Sequence, residues 1–158
     1  MRRYVIANST PIISLLGIGQ LDILKALYGA IVIPKAVYNE VVAKDARVLD
    51  GYSWIRVVPI SNIEAKETFI SALHDGEVEV IILAKEHSSD LVIIDDSLAR
   101  QHAKYHGLTI TGTIGVLLRA KHDGILSAVK PALDDLLEFG FYISADVISD
   151  VLRLAGEL

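Results

Sequence analysis

Cysteine is absent from this chain of 158 residues. That absence excludes disulfides, zinc–thiolate sites, iron–sulfur clusters and thiol nucleophiles. Long apolar runs are missing as well. Residues 4–21 carry no charge, but they include Asn, Ser, Thr, Pro, Gly and Gln, a composition that excludes a membrane span. The lack of cysteine fits a reducing compartment, so we expect a soluble, cytoplasmic protein with no membrane partner.

Positive charge is also in short supply. The chain has 15 Lys and Arg residues against 20 Asp and Glu residues, which gives a net charge of −5. A global basic field of the kind that draws many proteins to nucleic acid is therefore excluded. The balance still permits an enzyme that holds phosphate through a metal ion and a local basic rim.

What the chain has in quantity is apolar side chains. Hydrophobic residues make up 52% of the sequence and charged residues 22%, enough to supply the core of one compact domain over residues 1–158. The mean hydropathy of +0.44 is high for a small domain and favours burial of some apolar surface between chains. We therefore expect a homodimer or a tight protein partner.

Apolar runs of strand length alternate with segments of helical period. Because alternation of this kind is typical of a parallel sheet with helices on both faces, it predicts an α/β fold. The predicted strands are residues 4–7, 30–33, 55–59, 91–94 and 108–111. The predicted helices are residues 11–17, 21–28, 34–43, 63–73, 76–87, 97–106, 112–122, 127–139 and 145–155.

Proline and glycine mark several helix ends. Pro11 and Pro34 each suit the first position of a helix, where a missing N–H costs little. Gly107, Gly124 and Gly140 each follow a helical segment and suit the left-handed conformation that closes many helices.

Polar side chains follow two of the predicted strands at the point where each strand ends. Asn8 follows the first strand, and Asp95 and Asp96 follow the fourth. In an open parallel sheet, ligands bind beyond the carboxyl ends of the strands, and oxygen ligands suit Mg²⁺ or Mn²⁺. Two structural alternatives stay open: Asn8 can form an Asx turn, and one Asp can cap the helix that follows.

Glu77 opens an otherwise apolar helix. It shares a helical stripe with Val80 and Ile81, whereas Glu79 and Glu86 lie on a more polar stripe. We therefore expect Glu77 to point inward, where a lone carboxylate is costly unless it is paired or binds a cation. The alternative is that Glu77 has only a structural role, because the helix dipole favours an acidic side chain near the helix N-terminus.

Glu40 lies on the inward edge of the predicted helix 34–43. A purely structural role is a strong alternative for Glu40, because Lys44 is four residues further on and can form a surface ion pair with it.

These segments resemble the PIN-domain superfamily of metal-dependent ribonucleases, and in particular short prokaryotic PIN-like proteins related to VapBC-type toxins. The motifs that carry the resemblance are residues 5–13, 33–41, 75–79, 93–100 and 112–117. The resemblance implies a three-layer α/β/α domain with a short, mostly parallel central sheet.

The resemblance also implies a site. The acidic set of the family maps onto Asn8, Glu40, Glu77 and Asp96, with Asp95 adjacent. These residues are expected to bind Mg²⁺ or Mn²⁺ and to carry catalysis. The first position is normally Asp, so Asn8 removes one charge.

Arg100 and Thr113 are expected to contact the substrate: Arg100 by orienting a phosphate, and Thr113 because residues 112–115 open a helix whose free N–H groups can approach one. The alternative for residues 112–115 is close packing between helix and strand at glycine. The expected function is a metal-dependent endoribonuclease acting on RNA, the toxin of a toxin–antitoxin pair with a small antitoxin protein as partner. The alternative is a catalytically degenerate PIN-like protein that binds RNA or forms an oligomeric interaction module.

Overall fold

The computed structural model describes residues 3–43, 45–69 and 72–158. Within them a five-stranded sheet has the order β3-β2-β1-β4-β5, and every strand pair is parallel. The strands are β1 (Val5–Ala7), β2 (Ile31–Ile33), β3 (Ile55–Val57), β4 (Leu91–Ile93) and β5 (Ile110–Thr111). Each overlaps a strand predicted from the sequence, so the predicted α/β class is confirmed.

Helices connect the strands of the sheet. They are α1 (Ser9–Gly17), α2 (Asp22–Tyr28), α3 (Lys35–Val42), α4 (Asp75–Glu86), α5 (Ser97–Tyr105), α6 (Thr113–His122), α7 (Lys130–Phe139) and α8 (Ala145–Leu154). A short 3-10 helix covers Ile63–Thr68.

The three central strands are apolar throughout because helices cover both of their faces. All residues of β1 and β2 are buried, and Val92 and Ile93 of β4 are fully buried. Continuous rather than alternating apolar sequence is what a doubly covered parallel sheet requires. The core therefore fixes β1 beside β4, and with them the residues that follow the two strands.

Several predicted boundaries need correction. Helix α1 begins at Ser9, with Asn8 as its N-cap, rather than at Pro11. Helix α3 begins at Lys35, and Pro34 is the residue that precedes it. Both prolines still act near a helix start, where a missing N–H is tolerated. The predicted helix 63–73 is a 3-10 helix that ends at Thr68, and residues 70 and 71 lie outside the described residues.

The predicted left-handed glycines are confirmed: φ is 76° at Gly107, 78° at Gly124 and 103° at Gly140. The last helix, α8, packs onto the domain through part of its apolar face. Val151 and Leu152 are buried, whereas Leu154 stays 77% exposed.

No single helix within the described residues is long and apolar enough to cross a membrane; α1 and α2 meet that test only as a pair bent by 119°.

Candidate functional site

The site begins where β1 and β4 end side by side. Ala7 and Ile93 are register partners in the two strands. The next residue, Asn8, donates its backbone N–H to the carbonyl oxygen of Ile93 at 2.9 Å. Asn8 is therefore held at the carboxyl edge of the sheet, as the strand pattern predicts, and the structure places it beside the end of β4.

The Asn8 side chain is buried without a partner for its oxygen. Only 3% of the residue is exposed, and Oδ1 accepts no hydrogen bond from the described residues. Although Asn8 is the N-cap of α1, its side chain makes no capping bond, so the alternative of a simple turn does not account for it. A buried polar atom left unsatisfied costs about 1–3 kcal/mol. A cation is one partner that would remove this cost.

Glu40 reaches the same edge from α3. The Ser9 hydroxyl donates to Glu40 Oε2 at 2.5 Å, which ties the carboxylate to the residue after Asn8. Gly76, at the start of α4, packs so closely against it that a Cβ there would overlap the Glu40 carboxylate. Glu40 as a whole is exposed. Lys44, its possible ion-pair partner, lies outside the described residues.

Glu77 is buried, with 6% of its surface exposed, so the predicted inward direction is confirmed. Its Oε1 accepts the backbone N–H of His74 at 2.9 Å and closes the N-terminus of α4. Burial raises the pKa of Glu77, and the neighbouring carboxylates of Asp96 and Glu40 raise it further. The three acids therefore share one electrostatic field.

Asp95 and Asp96 face different surroundings. Asp96 is exposed, and its Oδ2 accepts the N–H of Ala99 as the N-cap of α5. Both oxygens of Asp95 accept hydrogen bonds from Thr113, Oδ1 from the backbone N–H at 2.8 Å and Oδ2 from the hydroxyl at 2.7 Å. Burial raises the pKa of Asp95, while the Thr113 hydrogen bonds and the nearby Arg100 charge oppose that shift.

The expected capping of the following helix by one Asp is confirmed, and the capping residue is Asp96. Asp96 is also the aspartate whose charge acts on Glu77. Thr113 is fully buried, so it holds Asp95 in place, and a direct contact between Thr113 and substrate stays a prediction. Arg100 donates from Nη1 to the carbonyl oxygen of Ile94 at 2.9 Å.

A family model described as a PIN domain matches residues 4–157. The chain belongs to the PIN-domain family. A search of curated proteins gives no match. PIN domains have a nuclease-like fold and generally use divalent metal ions.

The residues of this PIN domain suit such an ion without forming a closed cage. No group of three or more acidic, histidine or cysteine side chains within residues 3–43, 45–69 and 72–158 is arranged to hold a metal directly. Mg²⁺ usually keeps several waters and binds through only one or two carboxylates, so a closed cage is not required. The unpartnered Asn8 oxygen and the mutual repulsion around Glu77 are features that a cation would relieve.

One expectation about α4 is wrong in this PIN domain. Glu79 is not on an outward polar stripe: it is 8% exposed. Its Oε1 accepts the N–H of Ala36 at 3.0 Å, and its Oε2 lies 2.7 Å from Lys66 Nζ. Residues 76–84 are all buried, because α3 and the 3-10 helix cover the side of α4 that the stripe pattern assigned to solvent.

Sequence reasoning also missed the small residues that position the acids. Ser9 holds Glu40, and Gly76 leaves room for it. Ser9 follows Asn8 directly, and this position could have indicated its role. The role was missed because the first helix was predicted to begin at Pro11 rather than at Ser9. The role of Gly76 had no local signal, because it depends on how closely α3 and α4 approach.

Proposed function

We propose that this protein is a metal-dependent endoribonuclease whose activity is weakened by Asn8. The observation that carries the proposal is the unpartnered, buried Oδ1 of Asn8 at a sheet edge that also holds Glu40, Glu77 and Asp96. These side chains supply only oxygen ligands, and hard divalent cations prefer oxygen.

In this proposal Asn8, Glu40, Glu77 and Asp96 hold Mg²⁺ or Mn²⁺, directly or through water. When bound, the ion lowers the pKa of a coordinated water and stabilises the charge that develops on phosphate. Because both oxygens of Asp95 are taken by Thr113, we assign Asp95 a supporting place beside the ligands.

The protein supplies order around those ligands. Ser9 fixes the Glu40 carboxylate, and the N–H of His74 fixes Glu77. Arg100, anchored on the carbonyl of Ile94, offers a guanidinium that can orient a phosphate.

A second function is favoured by one observation, the neutral amide at position 8. With one charge fewer, the site binds a cation less strongly. A PIN-domain protein that binds RNA or a partner without cutting it is therefore the competing proposal.

The proposed partners are RNA, a small antitoxin protein and a second copy of the chain, all in the cytoplasm. Exposed apolar side chains on α7 and α8 support a protein partner: Phe139 is 49% exposed and Leu154 is 77% exposed. Such residues are more costly in water than in an interface.

Cleavage of single-stranded RNA tests the proposal. We expect slow cleavage with Mg²⁺ or Mn²⁺, none with a chelator, and at least a tenfold loss in Glu77→Gln. Glu67→Gln changes an exposed glutamate of the 3-10 helix and is the matched control, with unchanged activity.

Asn8→Asp separates the two functions. Unit charges about 4 Å apart at an effective dielectric near 20 attract by roughly 4 kcal/mol before desolvation, so restoring the carboxylate should raise the cleavage rate. If wild type and Asn8→Asp are both inert with both metals, the nuclease proposal fails and the non-catalytic binding protein replaces it.

A further inference from the structure

A groove opens beside the site at β5, one of the two edge strands of the described sheet. Its volume is about 470 Å³, within the range of roughly 300–1,000 Å³ that is common for small-ligand sites. Asp95 and Arg100 line it together with Phe141, Tyr142 and Val147, which come from the segment between α7 and α8 and from the start of α8. The groove therefore joins the candidate site to a part of the chain that the site itself does not use.

Arg100 places a fixed positive charge in this groove. The residue is half-buried, and the bond from Nη1 to the carbonyl of Ile94 uses one of its five N–H donors. Within the described part of the chain, Arg100 has no carboxylate within 4.0 Å. A guanidinium held in place with donors to spare is suited to phosphate.

Tyr142 places an aromatic ring in the same groove. It is 86% exposed, and Val147 beside it in the lining is 42% exposed. An exposed aromatic ring and a held cation in one groove are a combination that suits a nucleotide, because the ring can stack on a base while the cation contacts a phosphate.

Two glycines in the groove lining let the backbone approach the side chains around Arg100 closely. A Cβ at Gly112 would lie 2.8 Å from Asp95 Oδ1 and 3.0 Å from Arg100 Nη1. A Cβ at Gly115 would overlap the hydroxyl of Thr111. Side chains at these two positions would therefore displace the groups that line the groove.

We propose that this groove binds one nucleotide of single-stranded RNA next to the cleaved phosphate, with its own phosphate on Arg100 and its base stacked on Tyr142. The choice of RNA as occupant rests on the proposed function and on the charge complementarity between phosphate and Arg100. A base must leave a duplex to stack on Tyr142, so the groove selects single strands.

Binding without cleavage tests this proposal. Fluorescence anisotropy of a short labelled RNA, measured in EDTA on the full chain, gives the dissociation constant. We expect Tyr142→Ala to weaken binding of the single strand about fivefold or more, and Tyr142→Phe to bind within about twofold of wild type. Tyr105→Ala is the matched control, because Tyr105 is also 86% exposed and lies outside this groove; its affinity should not change.

Arg100→Ala provides a second readout. Loss of one phosphate contact reduces the slope of log affinity against log salt by about 1, an effect that a purely structural role would not produce. The same RNA annealed to its complement should bind more weakly and should not respond to Tyr142→Ala.

Two results would overturn the proposal: wild-type affinity in Tyr142→Ala, or an equal loss in Tyr105→Ala. A changed oligomer mass of Tyr142→Ala in gel filtration, together with intact RNA affinity, assigns the groove to a protein contact. If RNA binding depends on Tyr142 but the protein never cleaves RNA, the nuclease proposal fails and the proposal of a nucleotide-binding groove is still supported.

Discussion

At the scale of single residues, the site depends on close contacts that small side chains permit. Gly76 is the clearest case, because a Cβ at this position would overlap the Glu40 carboxylate. That carboxylate is the end of a flexible side chain, so it can move away at little cost in stability. The cost falls on the site, where Glu40 loses its bond from Ser9.

We therefore predict that Gly76→Ala weakens Mn²⁺ binding several-fold while the free energy of unfolding changes by no more than about 0.5 kcal/mol. Gly51→Ala is the control, because a Cβ at Gly51 would meet nothing within 4 Å. Metal titration and urea unfolding of both variants provide the measurement. Unchanged Mn²⁺ affinity in Gly76→Ala would contradict the proposed place of Glu40.

At the scale of elements, α4 is held by Glu79 as well as by its apolar face. Glu79 accepts the N–H of Ala36 near the start of α3 and pairs with Lys66 of the 3-10 helix. The hydrogen bond from Lys66 to Glu79 is the main reason that the pKa of Lys66 is raised. One buried carboxylate thus joins three elements around the site.

Glu79→Ala should lower the free energy of unfolding by about 1–3 kcal/mol, since it leaves the N–H of Ala36 without an acceptor. Glu67→Ala, an exposed glutamate of the 3-10 helix, should change it by less than about 0.5 kcal/mol. Urea unfolding at neutral pH measures both, and equal effects would show that the Glu79 contacts contribute no stability.

At the scale of the whole molecule, Glu157 links the last three helices, α6, α7 and α8, through hydrogen bonds. It follows α8, pairs with Lys121 of α6 at 2.8 Å, and accepts the N–H groups of Val129 and Lys130 at the start of α7. The hydrogen bond from Lys121, followed by those two backbone bonds, lowers the pKa of Glu157 from 4.5 to about 2.

The lowered pKa gives this contact a defined pH dependence. The folded state favours the ionised carboxylate, so its contribution is complete above 4.5 and is lost as the pH falls towards 2. We predict that Glu157→Gln is less stable than wild type at pH 7 and that the difference shrinks at pH 4 and again at pH 3. Thermal unfolding at each pH measures it, and a difference independent of pH would contradict this role.

The sequence predicted those parts of the molecule that local pattern determines. Short apolar runs indicated the five strands of the described sheet, and the expected parallel sheet put Asn8 and Asp95 at the carboxyl ends of two of them. That these two strands are neighbours came from the structure. The buried position of Glu77 followed from its helical stripe. Burial of Glu79 and the groove at Tyr142 could not be predicted, because both depend on which distant element packs against which helix face.

The most direct test of the account is a calorimetric titration of Mn²⁺ into wild type, Asn8→Asp and Glu77→Gln. We predict saturable binding in wild type, tighter binding in Asn8→Asp, and binding at least tenfold weaker in Glu77→Gln, a difference of about 1.4 kcal/mol. Glu67→Gln should match wild type. The same affinity in all four proteins, or no saturable binding in wild type and Asn8→Asp, would contradict a metal site at this edge of the sheet.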